Sequence, residues 1–332
     1  CEVDRKVRDL VRKVAGAIGD PAPARRELFA HGDSALDALL GLEASQSPTQ
    51  ELAKSLRQEL SDSWAAGKWA QLMAAPSVAS SLEEGALVLS QWAKADVDLP
   101  EIRAALEGIA QRAAARGACR TSDASRPPSR AEADGMILAL NGALFDEFGL
   151  EGNSQDYYNT DNSFLHVVLK KRRGIPISLC IVWAAVARRQ GLPCHLLAGF
   201  PRHVLIRVQL SGDGLSEGSP AQDLYIDAFD KGKVMDWGEL LQFVSAMLAP
   251  ALPGNAQVPE SQLREWVAIS PPVDIYMRMM RNLSNIYGQK GDLAGLLGIL
   301  SQMRALGADS QDVLETQRVL AKMLRRDPPE GY

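Results

Sequence analysis

A long apolar helix between two proline-containing turns constrains the fold of this chain more than any other segment. Residues 175–191 read IPISLCIVWAAVARRQG, with Gly174 before them and Leu192-Pro193 after them. Pro176 suits the first turn of a helix, where its missing amide hydrogen would have no partner in any case. Because the segment is apolar on almost every side, we expect a helix that neighbouring elements bury on most sides.

Three segments with strand character follow this helix and predict a small antiparallel sheet. They are CHLLAGF (194–200), HVLIRVQL (203–210) and DLYIDAF (223–229), in which branched and aromatic residues favour strands. The segment SGDGLSEGSPAQ at 211–222 is predicted to be a hairpin loop, and a helix is expected near WGELLQFVSAML. We therefore predict an α+β fold that is predominantly helical.

Helices are predicted on both sides of this core. Apolar residues at 3, 7, 10, 11, 14 and 18 form a helical stripe, and residues 1–78 are interpreted as an N-terminal helical extension. The core domain is placed at 79–250, with a flexible insert at 118–135 and a helix that ends at Gly149. Residues 260–332 are predicted to form a tetratricopeptide-like helical hairpin, which cannot bury its faces alone and would stack on the preceding domain.

Composition argues against several classes of function. The 332 residues carry a net charge of −5, which disfavours sequence-independent binding of nucleic acid. The four cysteines show no CxxC spacing and the four histidines no HExxH motif, so we expect no disulfide framework, no metal and no cofactor. No apolar run reaches the roughly 18 residues that suggest a membrane span, so no transmembrane segment is expected.

Cys180, His203 and Asp227 follow one another on the helix and on two predicted strands, which is the order of a papain-like transglutaminase core. In that chemistry a thiolate attacks an amide, the histidine accepts the thiol proton, and the aspartate orients the imidazole. The nucleophile must lie at the helix N-terminus, where free amide groups and the helix dipole lower the thiol pKa.

Cys180 does not meet that requirement. It lies more than one turn inside a helix that begins near Pro176, so we interpret it as an inert buried residue. Ser178 is the only side chain at 175–178 with a lone pair, and a hydrogen-bonding role in the first turn is predicted for it. No catalytic residue is therefore assigned, and Ser178, Cys180, His203 and Asp227 are kept as vestigial candidates.

A groove is predicted around the remaining polar residues. A buried carboxylate at Asp227 needs a partner, for which His203 is the natural choice, and Tyr157 or Tyr158 could supply hydroxyl groups. The predicted groove consists of Asn162, Ser163, Arg173, Ser178, His203 and Asp227.

Several segments resemble the SirB-type transglutaminase-like family. They are NSFL at 162–165, RRGIPISL at 172–179, the ARRxGLP pattern at 187–193 and the YIDxF pattern at 225–229. The similarity runs from about residue 80 to residue 325. It implies a papain/transglutaminase-like core, flanked by N-terminal helices and a tetratricopeptide-like C-terminal part. The same domain occurs in an F-box family of ubiquitin-ligase substrate receptors.

The resemblance also implies that the nucleophile is missing. Active enzymes of this type carry Gly-x-Cys at the helix start, where this chain has Gly174-Ile175-Pro176. The histidine and the aspartate are kept as His203 and Asp227. The family's usual Pro-Gly-His-Phe is Pro201-Arg202-His203-Val204 here, and Asp-Pro-Phe is Asp227-Ala228-Phe229. Both departures weaken the expectation of a small-molecule or peptide pocket.

The preferred hypothesis is a non-catalytic protein-binding scaffold, or an accessory factor for the assembly or repair of a larger complex. One alternative is a cysteine- or serine-dependent protease or acyl transferase that uses His203 and Asp227. Another alternative, by analogy with the F-box relatives, is an adaptor in protein degradation.

Partners and location follow from the same hypothesis. We expect one or more protein partners, no nucleic acid, and at most a peripheral contact with a membrane complex. The first residue is Cys rather than Met, so the chain is interpreted as trimmed for expression or after import. A chloroplast stromal protein that touches a photosynthetic membrane complex, at the thylakoid surface, is predicted, with a cytoplasmic protein as the alternative.

Overall fold

The computed structural model describes residues 2–16, 21–45, 48–74, 81–118, 126–211, 220–251, 258–308 and 311–323. The helices of these ranges are α1 (Glu2–Ala15), α2 (Ala22–Phe29), α3 (Asp33–Glu43), α4 (Gln50–Met73), α5 (Ser81–Ala93), α6 (Leu99–Ala115), α7 (Arg130–Asn141), α8 (Leu165–Lys171), α9 (Pro176–Arg189), α10 (Trp237–Leu248), α11 (Glu260–Trp266), α12 (Pro272–Lys290), α13 (Leu293–Ala305) and α14 (Gln311–Met323). The strands are β1 (Glu151–Gly152), β2 (Arg173–Gly174), β3 (Cys194–Leu197), β4 (Leu205–Val208), β5 (Leu224–Asp227) and β6 (Lys233–Met235). The predicted α+β, predominantly helical fold is confirmed.

The chain divides into two compact units. The first comprises Cys1–Pro76, Leu87–Val97 and Leu283–Tyr332, and the second comprises Ser77–Ala86 and Asp98–Asn282. Two of the boundaries between them fall inside helices, one in α5 and one in α12.

The first unit is helical and combines the two ends of the chain. Val7, Leu10 and Val11 of the predicted stripe are buried in its core. Helix α4 packs along both α3 and α13. The indole Nε1 of Trp69 on α4 donates a hydrogen bond of 2.9 Å to Oε1 of Gln302 on α13, with both side chains fully buried.

This grouping differs from the division predicted from the sequence, which kept 1–78 and 260–332 as separate domains. The physical reason is that α13 is apolar on several sides and needs more than one neighbouring helix to bury it. The N-terminal helices supply part of that surface, and residues 260–282 belong to the second unit instead.

The second unit contains a four-stranded antiparallel sheet in the order β3-β4-β5-β6. Cys194 pairs with Val208, Ile206 with Ile226, and Asp227 with Lys233. Helix α9 packs against β3 and β4, whereas α10 and α11 join a cluster with Leu205, Tyr225 and Met235. Every residue of β4 and β5 is buried, so both faces of these strands are covered.

A buried ion pair joins Arg207 on β4 to Asp223, the residue before β5, near the end of α11. Nε of Arg207 lies 2.6 Å from Oδ2 of Asp223, with the two side chains 6% and 2% exposed. Nη1 of Arg207 also donates to the carbonyl of Val267. The guanidinium therefore ties two strands to the end of α11.

Several local predictions need correction. The insert at 118–135 was expected to be flexible, but Ser129 and Glu132 form a capping box and α7 begins at Arg130. The Ser-x-x-Glu spacing was a signal for this helix start. Residues 119–125 of the insert and most of the predicted loop at 211–222 lie outside the described residues.

The ends of two predicted helices also differ. Helix α8 ends at Lys171, followed by the left-handed cap residue Arg172 with a φ of +57°, rather than at Gly174, because residues 173–174 pair with β1 as a parallel strand. The helix predicted to end at Gly149 continues from α7 as a π-helix over Gly142–Glu147. Gly149 has a φ of +75°, as a glycine at a left-handed helix end requires.

Candidate functional site

The start of α9 is closed by the hydroxyl group of Ser178. This side chain is 2% exposed. Its Oγ lies 2.6 Å from the carbonyl oxygen of Asn162, to which it donates, and it accepts a hydrogen bond of 3.1 Å from the amide of Ile175. The serine therefore joins the helix start to the preceding loop, and its single proton and lone pairs are used in doing so.

Cys180 lies two residues further along the helix, inside the core. Its side chain is 0% exposed, and Sγ is 3.4 Å from the carbonyl oxygen of Val204. Burial, and after it the negative charge of Asp227, raises the pKa of the Cys180 thiol well above its ordinary value. A protonated thiol that solvent does not reach is neither a nucleophile nor a metal ligand.

His203 and Asp227 lie side by side at one end of the two central strands, just before β4 and at the end of β5. Nε2 of the imidazole is 3.0 Å from Oδ2 of the carboxylate, and the side chains are 12% and 4% exposed. The distance is that of an ion pair, but Nε2 is also a buried atom without a properly directed hydrogen bond. The contact is therefore electrostatic rather than a directed hydrogen bond.

The second carboxylate oxygen of Asp227 serves the backbone. Oδ1 accepts hydrogen bonds from the amides of Phe229 (2.9 Å) and Asp230 (3.3 Å), which closes the turn after β5. The rings of Phe229 and Phe243 flank the imidazole of His203. The aspartate and the two rings hold the histidine in place without any contribution from a thiol.

A pocket of about 420 Å³ opens beside His203. Pro176, Ile177 and Val204 form its apolar part, and Tyr157 and Tyr158 add aromatic rings. Arg202, His203, Arg278 and Asn282 supply its polar side chains. Pro176, at the start of α9, thus lines the same pocket as His203.

Most of the residues predicted for the groove lie outside this pocket. Among them only His203 lines it, and Asp227 lies behind His203. Asn162 is buried, and its amide donates to the carbonyls of Asp156 (2.7 Å) and Tyr157 (3.1 Å). Asn162 therefore shapes the loop that carries the two tyrosines, because a buried amide needs such partners.

Ser163, Ser178 and Arg173 are likewise placed elsewhere. Ser163 and Ser178 are buried, at 1% and 2% exposure. Arg173 is exposed and forms an ion pair with Glu151 across the β1–β2 pairing. The groove predicted from the sequence is corrected accordingly, since burial and strand pairing direct these side chains away from the pocket.

Arg278 and Asn282 are pocket residues that the sequence did not reveal. Nη1 of Arg278 donates to the carbonyls of Ala198 and Phe200, the latter at 2.6 Å. Burial lowers the pKa of the Arg278 guanidinium. The one available signal was the run YMRMM at 276–280, in which an arginine interrupts four apolar residues.

The described residues provide neither a metal-binding cluster nor a helix that could span a membrane. No three His, Cys, Asp or Glu side chains in these ranges are grouped in a way that could hold a metal ion. None of the described helices combines the length and the apolar character needed to cross a membrane. Of the four cysteines, Cys180 and Cys194 are free and buried, and Cys1 and Cys119 lie outside the described residues.

Comparison with curated proteins gives relatives from animals and bacteria. The chain is 32% identical to F-box only protein 21 of Homo sapiens over 200 residues, which cover 55% of this chain and 31% of that protein. It is 35% identical to a UPF0162 protein of Xylella fastidiosa over 151 residues, which cover 46% of this chain and 48% of that protein. The chain thus matches less than half the length of each.

No solved structure gives a significant match to the chain. A family model described as the transglutaminase-like superfamily matches residues 100–281, which is more than half of the chain. This range includes α9, the sheet, His203, Asp227 and Arg278. The chain therefore belongs to the transglutaminase-like superfamily.

Proposed function

We propose that the chain is a non-catalytic member of this superfamily that binds other proteins as a scaffold or accessory factor of a larger assembly. One observation carries the proposal. Pro176 occupies the position at which the family resemblance places the thiol, and it lines the same pocket as His203. The sulfur of Cys180 on the same helix is buried against the carbonyl of Val204. Among the described residues that line this pocket there is no cysteine and no serine, so a cysteine or serine mechanism finds no accessible nucleophile in that set.

The serine alternative is disfavoured on the same grounds. Ser178 donates its proton to the carbonyl of Asn162 and is 2% exposed. To attack a substrate it would have to break this bond and leave the helix start unpaired. The retained His203–Asp227 contact then serves to shape a binding pocket rather than to activate a nucleophile.

The test is a search for a covalent intermediate. The purified chain is incubated with amide peptides, with an amine acceptor and with hydroxylamine, and its intact mass is followed. We expect no acyl adduct, no transamidation product, and the same result for Cys180→Ser. An acyl group on Cys180 or Ser178 would overturn the proposal.

The binding half of the proposal is tested in native material. We expect the tagged chain to cross-link reproducibly to a defined set of proteins within one assembly. A chain that sediments as a monomer in native extract and cross-links to nothing contradicts the scaffold role.

Two further statements concern the pathway and the cellular location of the protein. An adaptor role in degradation is supported only by the similarity to F-box only protein 21. A stromal location and a photosynthetic complex as partner stay predictions from composition, and detection of the endogenous protein in fractionated cells tests them.

A further inference from the structure

The pocket beside His203 is rich in cations and in hydrogen-bond donors. Arg202 and Arg278 bring two permanent positive charges to it. No aspartate or glutamate is among the described residues that line it. Asp227 does not offset this charge at the surface of the pocket, because its oxygens face His203 and the amides of Phe229 and Asp230.

The guanidinium of Arg278 is held on one side and open on the other. Nη1 of Arg278 donates two hydrogen bonds, one to the carbonyl of Ala198 and one to the carbonyl of Phe200. Within the described ranges, Nε and Nη2 make no hydrogen bond, and neither is among the buried unpaired atoms. A half-buried arginine oriented in this way presents two parallel N–H groups, which match the two oxygens of a carboxylate.

Neighbouring side chains extend the donor set. Arg202 is exposed at the rim of the pocket, where a φ of +64° directs the backbone into a left-handed turn before His203. Asn282 lies one turn after Arg278 on α12 and adds an amide. Arg202 and Asn282 form no hydrogen bond or ion pair with the described part of the chain. Both side chains are therefore available to a ligand.

The rest of the lining is apolar or aromatic. Pro176, Ile177 and Val204 offer contact area for an aliphatic stem, and Tyr157 packs edge-to-face on Tyr158 with ring centroids 5.3 Å apart. A volume of about 420 Å³ lies within the usual range of ligand pockets, roughly 300–1,000 Å³. This shape suits a short stem with an anionic end better than a bare inorganic ion.

We propose that this pocket binds a carboxylate-bearing side chain of an acidic peptide segment in the partner protein, with Arg278 as the bidentate contact and Arg202 as the rim charge. The inference rests on the proposed protein-binding function and names the chemistry that its site recognises. The tyrosines and the apolar wall hold the stem of the acidic residue, and Asn282 donates to the same carboxylate or to the adjacent peptide group.

The test uses the full chain and four libraries of capped, randomised peptides. Each library has one central position fixed, as Glu, Gln, phosphoserine or Lys. We expect the Glu library to be retained at least about tenfold more than the Gln library, because a charge-assisted bidentate contact is lost with the amide. Retention should fall as the salt concentration rises.

Three variants locate the contact. Arg278→Gln should weaken binding of Glu peptides by about tenfold, and Arg202→Gln by about twofold to fivefold, as an exposed charge does. Asn282→Asp places a negative charge in the pocket and should abolish retention of the Glu library. Arg130→Gln is the matched control, since it removes an exposed arginine that pairs with Asp134 and is not a pocket residue.

If Arg278→Gln fails to fold, Arg202→Gln and Asn282→Asp decide the question. The inference is overturned if both bind Glu peptides as tightly as the unmodified chain, or if no library is retained. If the phosphoserine library is retained more strongly than the Glu library, the preferred ligand is a phosphate and the proposed carboxylate is wrong. An acyl adduct with intact Glu selection would overturn the proposed function alone, whereas unselective libraries without any adduct would overturn the pocket inference alone.

Discussion

At the scale of single residues, burial decides the chemistry of the two described cysteines. Cys180 and Cys194 are both buried, at 0% and 2% exposure. Burial raises the pKa of the Cys194 thiol to about 11 and that of Cys180 well above its ordinary value. Because only the thiolate is a good nucleophile, both residues are expected to be inert in the folded chain.

This inertness is tested by alkylation. At neutral pH, iodoacetamide should leave Cys180 and Cys194 unmodified in the folded chain and should modify both after denaturation. Peptide mapping by mass spectrometry separates the two sites. Rapid and selective modification of Cys180 under native conditions would contradict its placement in the core.

The lowered pKa of His195 predicts how the free energy of unfolding depends on pH. Burial, and next the positive charge of Arg188, lowers the pKa of His195 from 6.5, while Nε2 lies 3.1 Å from Oε1 of Gln209. As the pH falls below 6.5, the unfolded chain binds a proton that the folded chain does not. The free energy of unfolding should therefore decrease with falling pH, from about 6.5 down to the lowered pKa.

The measurement compares urea unfolding of the unmodified chain and of His195→Gln across this pH range. The variant should lose part of the pH dependence, and the other three histidines cancel in the difference between the two proteins. Equal slopes for both proteins would show that His195 does not titrate as described.

At the scale of elements, Asn141 joins three parts of the second unit. Located at the end of α7, it accepts a hydrogen bond of 2.9 Å from the indole Nε1 of Trp183 on α9. Its Nδ2 donates to the carbonyl of Gly232, 2.7 Å away, in the turn between β5 and β6. Gly232 has a φ of +73°, and a Cβ there would lie 2.2 Å from Oδ1 of Asn141. Only glycine fits this approach.

Asn141→Leu is expected to destabilise the chain by about 2–4 kcal/mol, because it leaves the indole of the fully buried Trp183 and the carbonyl of Gly232 without these partners. The shift of the urea midpoint measures the effect. Asp134→Asn on the exposed face of α7 is the control and should change the free energy of unfolding by less than about 0.5 kcal/mol. Equal effects of the two substitutions would contradict the bridging role.

At the scale of the whole molecule, one compact unit is built from segments far apart in the sequence. Trp69 and Gln302 are separated by 233 positions, and their hydrogen bond joins α4 to α13 within the first unit. Gln302 also approaches the carbonyl of Asp62, at 3.4 Å. Contacts of this kind bury part of α13 against the N-terminal helix α4.

Gln302→Leu is expected to cost about 1–3 kcal/mol, because Trp69 loses this acceptor inside the core. Trp69→Phe removes the donor, so the double variant should be more stable than the sum of the two single effects predicts. Equilibrium unfolding of the four proteins gives the coupling energy. Additive effects would mean that the two helices do not depend on this bond.

Local features of the sequence were sufficient to predict much of the second unit. The proline turn at Pro176, the apolar stretch of α9 and the branched residues of β3–β5 depend on neighbours along the chain. Strand β6 was not predicted, because a three-residue strand is formed by its pairing with β5 rather than by its own pattern. The helix that begins at Arg130 was not predicted, because the Ser-, Arg- and Pro-rich residues before it indicated a flexible segment.

The candidate site, too, could be predicted from the sequence only in part. The order of residues alone shows that a proline rather than a cysteine stands at the start of the central helix, and that a histidine and then an aspartate follow it along the chain. Which side chains share the pocket was decided by the tertiary structure, which brings Arg278 beside His203 from 75 positions away and directs Arg173 into solvent. Periodicity and turn chemistry act over a few residues, whereas proximity between distant residues depends on how whole helices pack.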